Sequence, residues 1–191
     1  VTYLLLPAVF MGAMGLVDDL RGLQPMPRLI FQTLVAVVVS IVLIQTKTIG
    51  TPLDNTLLVQ IIVVLWIVGL CNSINFFDNL DGGAAGTVAV STLGITLIAF
   101  AQGQELIAAL SVVTAGATIG FLLWNKSPAK IYMGDAGALF LGIIVSVLTI
   151  RLNPGINPLW NSIALLPMLL AVPILDTCIA VFSRLKRGIS P

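Results

Sequence analysis

"TLLVQIIVVLWIVGLCNSINFFDNLDGG", residues 56–83, opens on an uncharged run from Thr56 to Cys71 and closes on two carboxylates, Asp78 and Asp81, three positions apart. A helix crossing a bilayer needs roughly 17 to 25 apolar residues, so the run is a span or slightly short of one. Beyond Cys71 the chain turns polar and ends in paired glycines. The stretch therefore reads as a membrane helix that delivers acids to a water-facing end.

The rest of the chain repeats this pattern. Of 191 residues, 58% are hydrophobic and only 9% charged, and the mean hydropathy is +1.10, far outside the range of a water-soluble domain. Seven uncharged runs are predicted as helices: Val1 to Val17, Leu29 to Thr46, Thr56 to Cys71, Ala84 to Ala101, Leu106 to Trp124, Ala136 to Ile150, and Leu159 to Ser183. The fold class is all-α, a polytopic transmembrane bundle, and residues 1–191 read as one integral membrane domain with no internal repeat. A formal net charge of +1 is too small to suggest a nucleic-acid footprint or an acidic tail. With no histidine, any chemistry falls to carboxylates, amides, bases and metal. Cys71 and Cys178 lie in apolar runs, where thiols pack as small hydrophobes.

The connections fall into two alternating sets. One comprises Asp18 to Arg28, Asn72 to Gly83, Asn125 to Asp135 and the tail from Arg184; the other comprises Lys47 to Asn55, Gln102 to Glu105, and Arg151 to Pro158. The first set holds Arg21, Arg28, Lys126, Lys130, Arg184, Lys186 and Arg187, against Lys47 and Arg151 in the second. Because basic residues are retained in the cytoplasm, seven against two puts the first set there. Six of the eight acids go with it, Asp176 among them. Scattered solvated loops would divide acids more evenly.

Four stretches carry the chemistry. In "GLVDDLRGLQPMPR" (15–28), Asp18 and Asp19 end a hydrophobic helix, where carboxylates oppose the helix dipole. The pair is either a hydrated stop signal or a site, and Arg21 and Arg28 are either cytoplasmic anchors or phosphate contacts. In "CNSINFFDNLDGGAAG" (71–86), Asn75, Asp78 and Asp81 recur at a spacing of three and share one face if that segment is helical. In "NKSPAKIYMGDAGALFLG" (125–142), Asp135 precedes a new apolar run, either as an N-cap or as a ligand. Asn125 could simply close its helix, and Tyr132 offers a ring for stacking or for an interfacial belt. In "VPILDTCIAVFSRLKRGISP" (172–191), Asp176 lies eight residues before Arg184, about 12 Å along a helix, a depth at which an ionisable group is a functional candidate by default.

Carboxylates without histidine or thiolate suit a hard, oxygen-seeking cation, Mg²⁺ or in its place Mn²⁺. Mg²⁺ is commonly shared between one or two carboxylates and substrate phosphates, so a diphosphate substrate fits. Basic residues at 126–130 and 184–187 could add phosphate contacts.

Together "GLVDDL", "NSINFFDNLDGGAAG", "NKSPAKIYMGDAGALFLG" and "PILDTCIAVFSRLKRGISP" resemble the polyprenyl-phosphate N-acetylhexosamine-1-phosphate transferases, in the family's order across nearly the whole chain. The last block is more similar to the undecaprenyl-phosphate GlcNAc-1-phosphate transferases than to the muramoyl-pentapeptide transferases. The resemblance implies a Mg²⁺-dependent, multi-pass enzyme of the cell membrane with a cytoplasmic active site. It would move a sugar 1-phosphate from a UDP-N-acetylhexosamine to undecaprenyl phosphate, release UMP, and begin a cell-wall or envelope glycan. By the same resemblance Asp135 is the metal residue, Asp18 and Asp19 lie near the carrier phosphate, and Asn75, Asp78 and Asp81 line the nucleotide pocket. Asn125 matches a site asparagine, and Tyr132 stands where the family has a phenylalanine expected to stack on uracil. Arg21, Arg28 and Lys130 are taken as substrate contacts. A homodimer is a further expectation.

Asn79 and Gly83 depart from the family's D-G-L-D-G-L pattern. The basic loop expected before Val1 and the histidine-rich loop expected after Pro191 are missing, so the expectation is a partial catalytic domain that is inactive alone, or else an incomplete piece of a longer chain. Readings from other classes are a cation transporter or channel, which needs acids spread across the membrane depth, and a noncatalytic scaffold.

Overall fold

A computed structural model describes residues 2–46, 55–157 and 159–188. Lys47, counted with the second set of connections, lies outside the described residues. Within them the chain forms helices α1 (Thr2–Arg21), α2 (Pro25–Gln45), α3 (Thr56–Phe77), α4 (Gly83–Ala101), α5 (Glu105–Asn125), α6 (Gly134–Arg151), α7 (Leu159–Leu169) and α8 (Ala171–Lys186).

The chain is a multi-pass membrane protein. Helices α2 to α6 are long and apolar enough to cross a bilayer, and α7 with α8 makes a sixth crossing if the bent pair counts as one. The expected seven is close; α1 is not among the six, and its last turn carries Asp18, Asp19 and Arg21. The helix expected over Leu159 to Ser183, with Pro167 and Pro173 bending it, is bent by 73° and divides at Leu170. Pro173 has no N–H to give the Leu169 carbonyl one turn back, which breaks the ladder. That carbonyl accepts from the Ser91 hydroxyl of α4 at 2.6 Å.

α6 is the centre of the bundle. It packs along α1 and α3 and is touched by α4 and α5, while α4 pairs with α5, α2 lies on α3 and α1, and α8 runs against α3. Every residue from Gly142 to Thr149 is buried, as expected of a helix apolar all round. Among the described residues every other helix exposes large apolar side chains, such as Leu97 at 72% and Phe100 at 79%. In a chain that crosses a bilayer such an apolar exterior carries no hydrophobic cost, because acyl chains are as apolar as leucine.

Polar groups inside the bundle are handled locally. Thr92, Ser111, Thr114, Thr118, Ser146 and Thr149 each donate to the carbonyl four residues back, a bond that satisfies a hydroxyl without a partner helix. Side-chain pairs also tie helices together: Trp66 Nε1 donates to Thr149 Oγ1 at 3.1 Å, and Asn72 Nδ2 to Gln32 Oε1 at 2.7 Å. Cys71 and Cys178 are free thiols; Cys71 is buried as expected, whereas Cys178 is exposed on the outside of α8.

Candidate active site

Five residues from four helix ends converge. α1 runs on through the acidic pair, so Asp18 and Asp19 lie in its last turn, and α2 begins at Pro25, which puts Arg28 in its first turn. Prolines suit that turn, where the missing N–H would be unpaired anyway. α3 extends past the expected Cys71 to Phe77, with Asp78 as its C-cap. Asp135 is the second residue of α6, after Gly134.

Arg28 bridges two of these acids through a single nitrogen. Its Nη1 donates to Asp18 Oδ2 at 2.9 Å and to Asp135 Oδ2 at 2.8 Å. Asp18, buried at 7% exposure, also accepts from the Leu23 amide at 2.7 Å. Asp19 turns to α6, where Oδ1 accepts from the Asp135 amide at 2.9 Å and Oδ2 from the Ala136 amide at 3.1 Å. The conflict between an acidic pair and the dipole of α1 is thereby resolved: the charge lies against the amide end of α6, where it is favoured. Asp135 is not its own helix's N-cap.

The electrostatics follow from crowding. Burial pushes the Asp78 carboxyl up to about 6; the Gly134 amide opposes this, while the carboxylates of Asp135 and Asp19 add to it. Burial acts on Asp18 in the same direction. There hydrogen bonds with the Asp135 carboxyl, Arg28 and the Leu23 amide overcome it and hold the group below its usual value.

Asp81 and Asn125 form a separate clip. The turn after Asp78 takes Asp81 off the helical face shared by Asn75 and Asp78, and its Oδ2 accepts from the Ala129 amide at 3.0 Å. Asn125 is 2% exposed, accepts from the Gly82 amide at 3.1 Å and donates to the Ile131 carbonyl at 2.9 Å. Asn79 closes the end of α3 by donating to the Phe76 carbonyl at 2.7 Å. At the opposite end of the bundle Gln104 and Asn153 exchange bonds of 2.6 and 3.1 Å. The described connections around Gln104 and Asn153 thus lie at the end opposite the acids.

Residues 1–153 match the family model described as glycosyl transferase family 4. The chain belongs to that family. It is 44% identical over 131 residues to a probable undecaprenyl-phosphate N-acetylglucosaminyl 1-phosphate transferase of Bacillus subtilis (strain 168), covering 68% of this chain and 36% of that protein. It is 30% identical over 156 residues to a phospho-N-acetylmuramoyl-pentapeptide-transferase of Streptococcus thermophilus (strain CNRZ 1066), covering 74% and 46%. A Chlamydia muridarum (strain MoPn / Nigg) protein of the same name is 44% identical over 95 residues, covering 48% and 28%. The chain spans less than half the length of these relatives.

In this family-4 chain the remaining sequence candidates are spread around the cluster. Asn75 lies half-buried one turn before Asp78, Arg21 is exposed beyond it, and Tyr132 is 75% exposed. Lys130 Nζ sits 5.5 Å over the Trp124 ring, and Arg184 of α8 lies 5.7 Å over Phe76. Asp176 lies on α8, outside the bonded group. Two polar residues beneath the cluster escaped the sequence reading: Gln32, wholly buried and one turn from Arg28 on α2, and its partner Asn72 on α3. An amide four residues from an arginine within an apolar run was the available signal.

Among the described residues no three acids stand close enough to cage an ion alone. Mg²⁺ does not require it, since one or two carboxylates plus waters and phosphate oxygens fill its shell. Asp135 with Asp78 nearby, all oxygen donors and in need of positive charge, fits such an ion.

Proposed function

We propose that the full-length protein transfers N-acetylglucosamine 1-phosphate from UDP-GlcNAc to undecaprenyl phosphate at the cytoplasmic face, releasing UMP. The single observation that carries this reading is the gathering of Asp18, Asp19, Asp78 and Asp135 at one end of a membrane bundle, with Arg28 bridging Asp18 and Asp135. The charge asymmetry of the loops supports the cytoplasmic assignment, and the Bacillus relative's name supports the sugar and the carrier.

Asp135 would hold Mg²⁺, with Asp78 alongside. The ion, when bound, supplies positive charge to the diphosphate and to the departing UMP. Arg28 keeps Asp18 and Asp135 apart from direct repulsion with one nitrogen, leaving the other donors of its guanidinium for phosphate oxygens. Asp18 lies beside that guanidinium, at the place proposed for the carrier phosphate. Tyr132 offers its exposed ring to uracil. An oxygen of the lipid phosphate attacks the sugar-linked phosphorus, a new phosphoanhydride forms as the old one breaks, and the electron pair leaves on UMP. Positioning and charge stabilisation carry the rate.

Two relatives named as pentapeptide transferases support a second reading with a muramoyl-pentapeptide donor. Incubating the full-length protein with Mg²⁺, undecaprenyl phosphate and each UDP-sugar, then weighing the lipid product, separates them. A lipid-linked GlcNAc diphosphate is expected. A muramoyl-pentapeptide product selects the second reading, and cation flux into proteoliposomes without any UDP-sugar would replace both with a channel.

A further inference from the structure

Asp19 differs from the other acids of the cluster in how it is bonded. Both of its oxygens are taken by amides of another helix, those of Asp135 and Ala136. α6 needs them, because its N-cap residue, Met133, brings no side-chain bond and the first amides of a helix have no partner within it. The surrounding backbone is shaped to this contact. Gly134 has φ +66°, and a Cβ there would come within 2.8 Å of Asp19 Oδ2. One turn before Asp19, Gly15 lets α1 lie directly on the Asp135 main chain, where a Cβ would sit 2.5 Å from the Asp135 carbonyl carbon.

We propose that Asp19 is a positioning residue, which fixes the first turn of α6 and with it the aim of the Asp135 carboxylate, without touching the ion or the transferred phosphate. This rests on the reading of Asp135 as the metal-holding residue. It divides the labour of the acidic pair: Asp18 faces Arg28 and the reacting groups, whereas Asp19 acts through two backbone amides. Partners that orient a metal residue are commonly worth about 10- to 100-fold in metal affinity or activity. Asparagine at position 19 keeps one acceptor oxygen and loses the charge; alanine loses both acceptors.

The test compares full-length wild-type protein with D19N, D19A and G134A. Hydrogen exchange of the α6 N-terminal peptide is measured by mass spectrometry, and Mg²⁺ is titrated against melting temperature and turnover. In D19A and G134A the Asp135 and Ala136 amides exchange faster and the half-saturating Mg²⁺ concentration rises about 10- to 100-fold, with KM for the UDP-sugar unchanged. D19N falls between wild type and D19A in both measurements. Unchanged exchange and an unchanged Mg²⁺ midpoint in D19A would overturn the proposal. So would a D19N as inactive as D135N but with a wild-type midpoint, since Asp19 would then touch the reactants. If wild type itself does not respond to Mg²⁺, the metal reading of Asp135 fails, and the exchange data still report whether Asp19 clips α6.

Discussion

Arg28 and Asp135 are 107 positions apart in sequence, yet Nη1 of the one donates to Oδ2 of the other at 2.8 Å. The same nitrogen reaches Asp18, so one cation stands between two carboxylates. Removing it leaves like charges facing each other in a partly buried place. R28A is expected to lower stability by about 2 kcal/mol and turnover at least about 100-fold, because breaking such a pair strands the remaining charge. R28K keeps the charge but not the fork and falls between. Thermal melting in detergent together with UMP release measures both effects.

Asp78 sets a pH dependence. Its folded-state value of about 6 exceeds the ordinary 3.8, so the folded protein binds this proton more tightly than the unfolded chain. The stability this contributes is complete below about pH 4 and is lost as pH rises through about 6. Without divalent cations the melting temperature should therefore fall between about pH 4 and pH 7. D78N should flatten that fall and stabilise the protein at pH 7 by about 1 kcal/mol after solvent screening, while abolishing turnover. A parallel pH slope in D78N would contradict the assignment.

Asn125 holds the two connections that flank the site. N125A leaves the Gly82 amide and the Ile131 carbonyl without their partner, a cost of about 2 kcal/mol. Limited proteolysis should then cut faster within 126–131, and D81A, which releases the Ala129 amide, should do the same more weakly.

Ser91 braces the break that Pro173 makes between α7 and α8. S91A removes the donor to the Leu169 carbonyl, worth about 1 kcal/mol inside a membrane bundle. Spin labels on the two helices should report a broader distribution of the bend angle, with little change in Mg²⁺ response.

Much of the architecture was legible in the sequence. Charge-free runs marked the helices, because the bilayer demands length and hydrophobicity together, and the alternation of loops marked the two ends. The approach of Asp18, Asp78 and Asp135 followed from that topology. Hidden from it were contacts set by helix packing. Nothing local says that Asp19 closes the first turn of α6, since its partner amides lie 116 and 117 positions away. Spacing by three placed Asp81 with Asp78, yet α3 stops at Phe77 and the turn sends Asp81 to Ala129. Pro167 and Pro173 marked the last helix as bent, and it is; that the bend would divide it at Leu170 is a matter of how α4 packs against the break.

The most direct measurement is Mg²⁺-dependent release of UMP by full-length wild-type protein and D135N, supplied with undecaprenyl phosphate and UDP-GlcNAc. Wild type should release UMP, not UDP, in step with the lipid-linked sugar diphosphate, and D135N should release at least about 1,000-fold less, the scale of about 4 kcal/mol in a barrier. Undiminished turnover by D135N, or UDP as the leaving nucleotide, would contradict a sugar-phosphate transfer centred on Asp135.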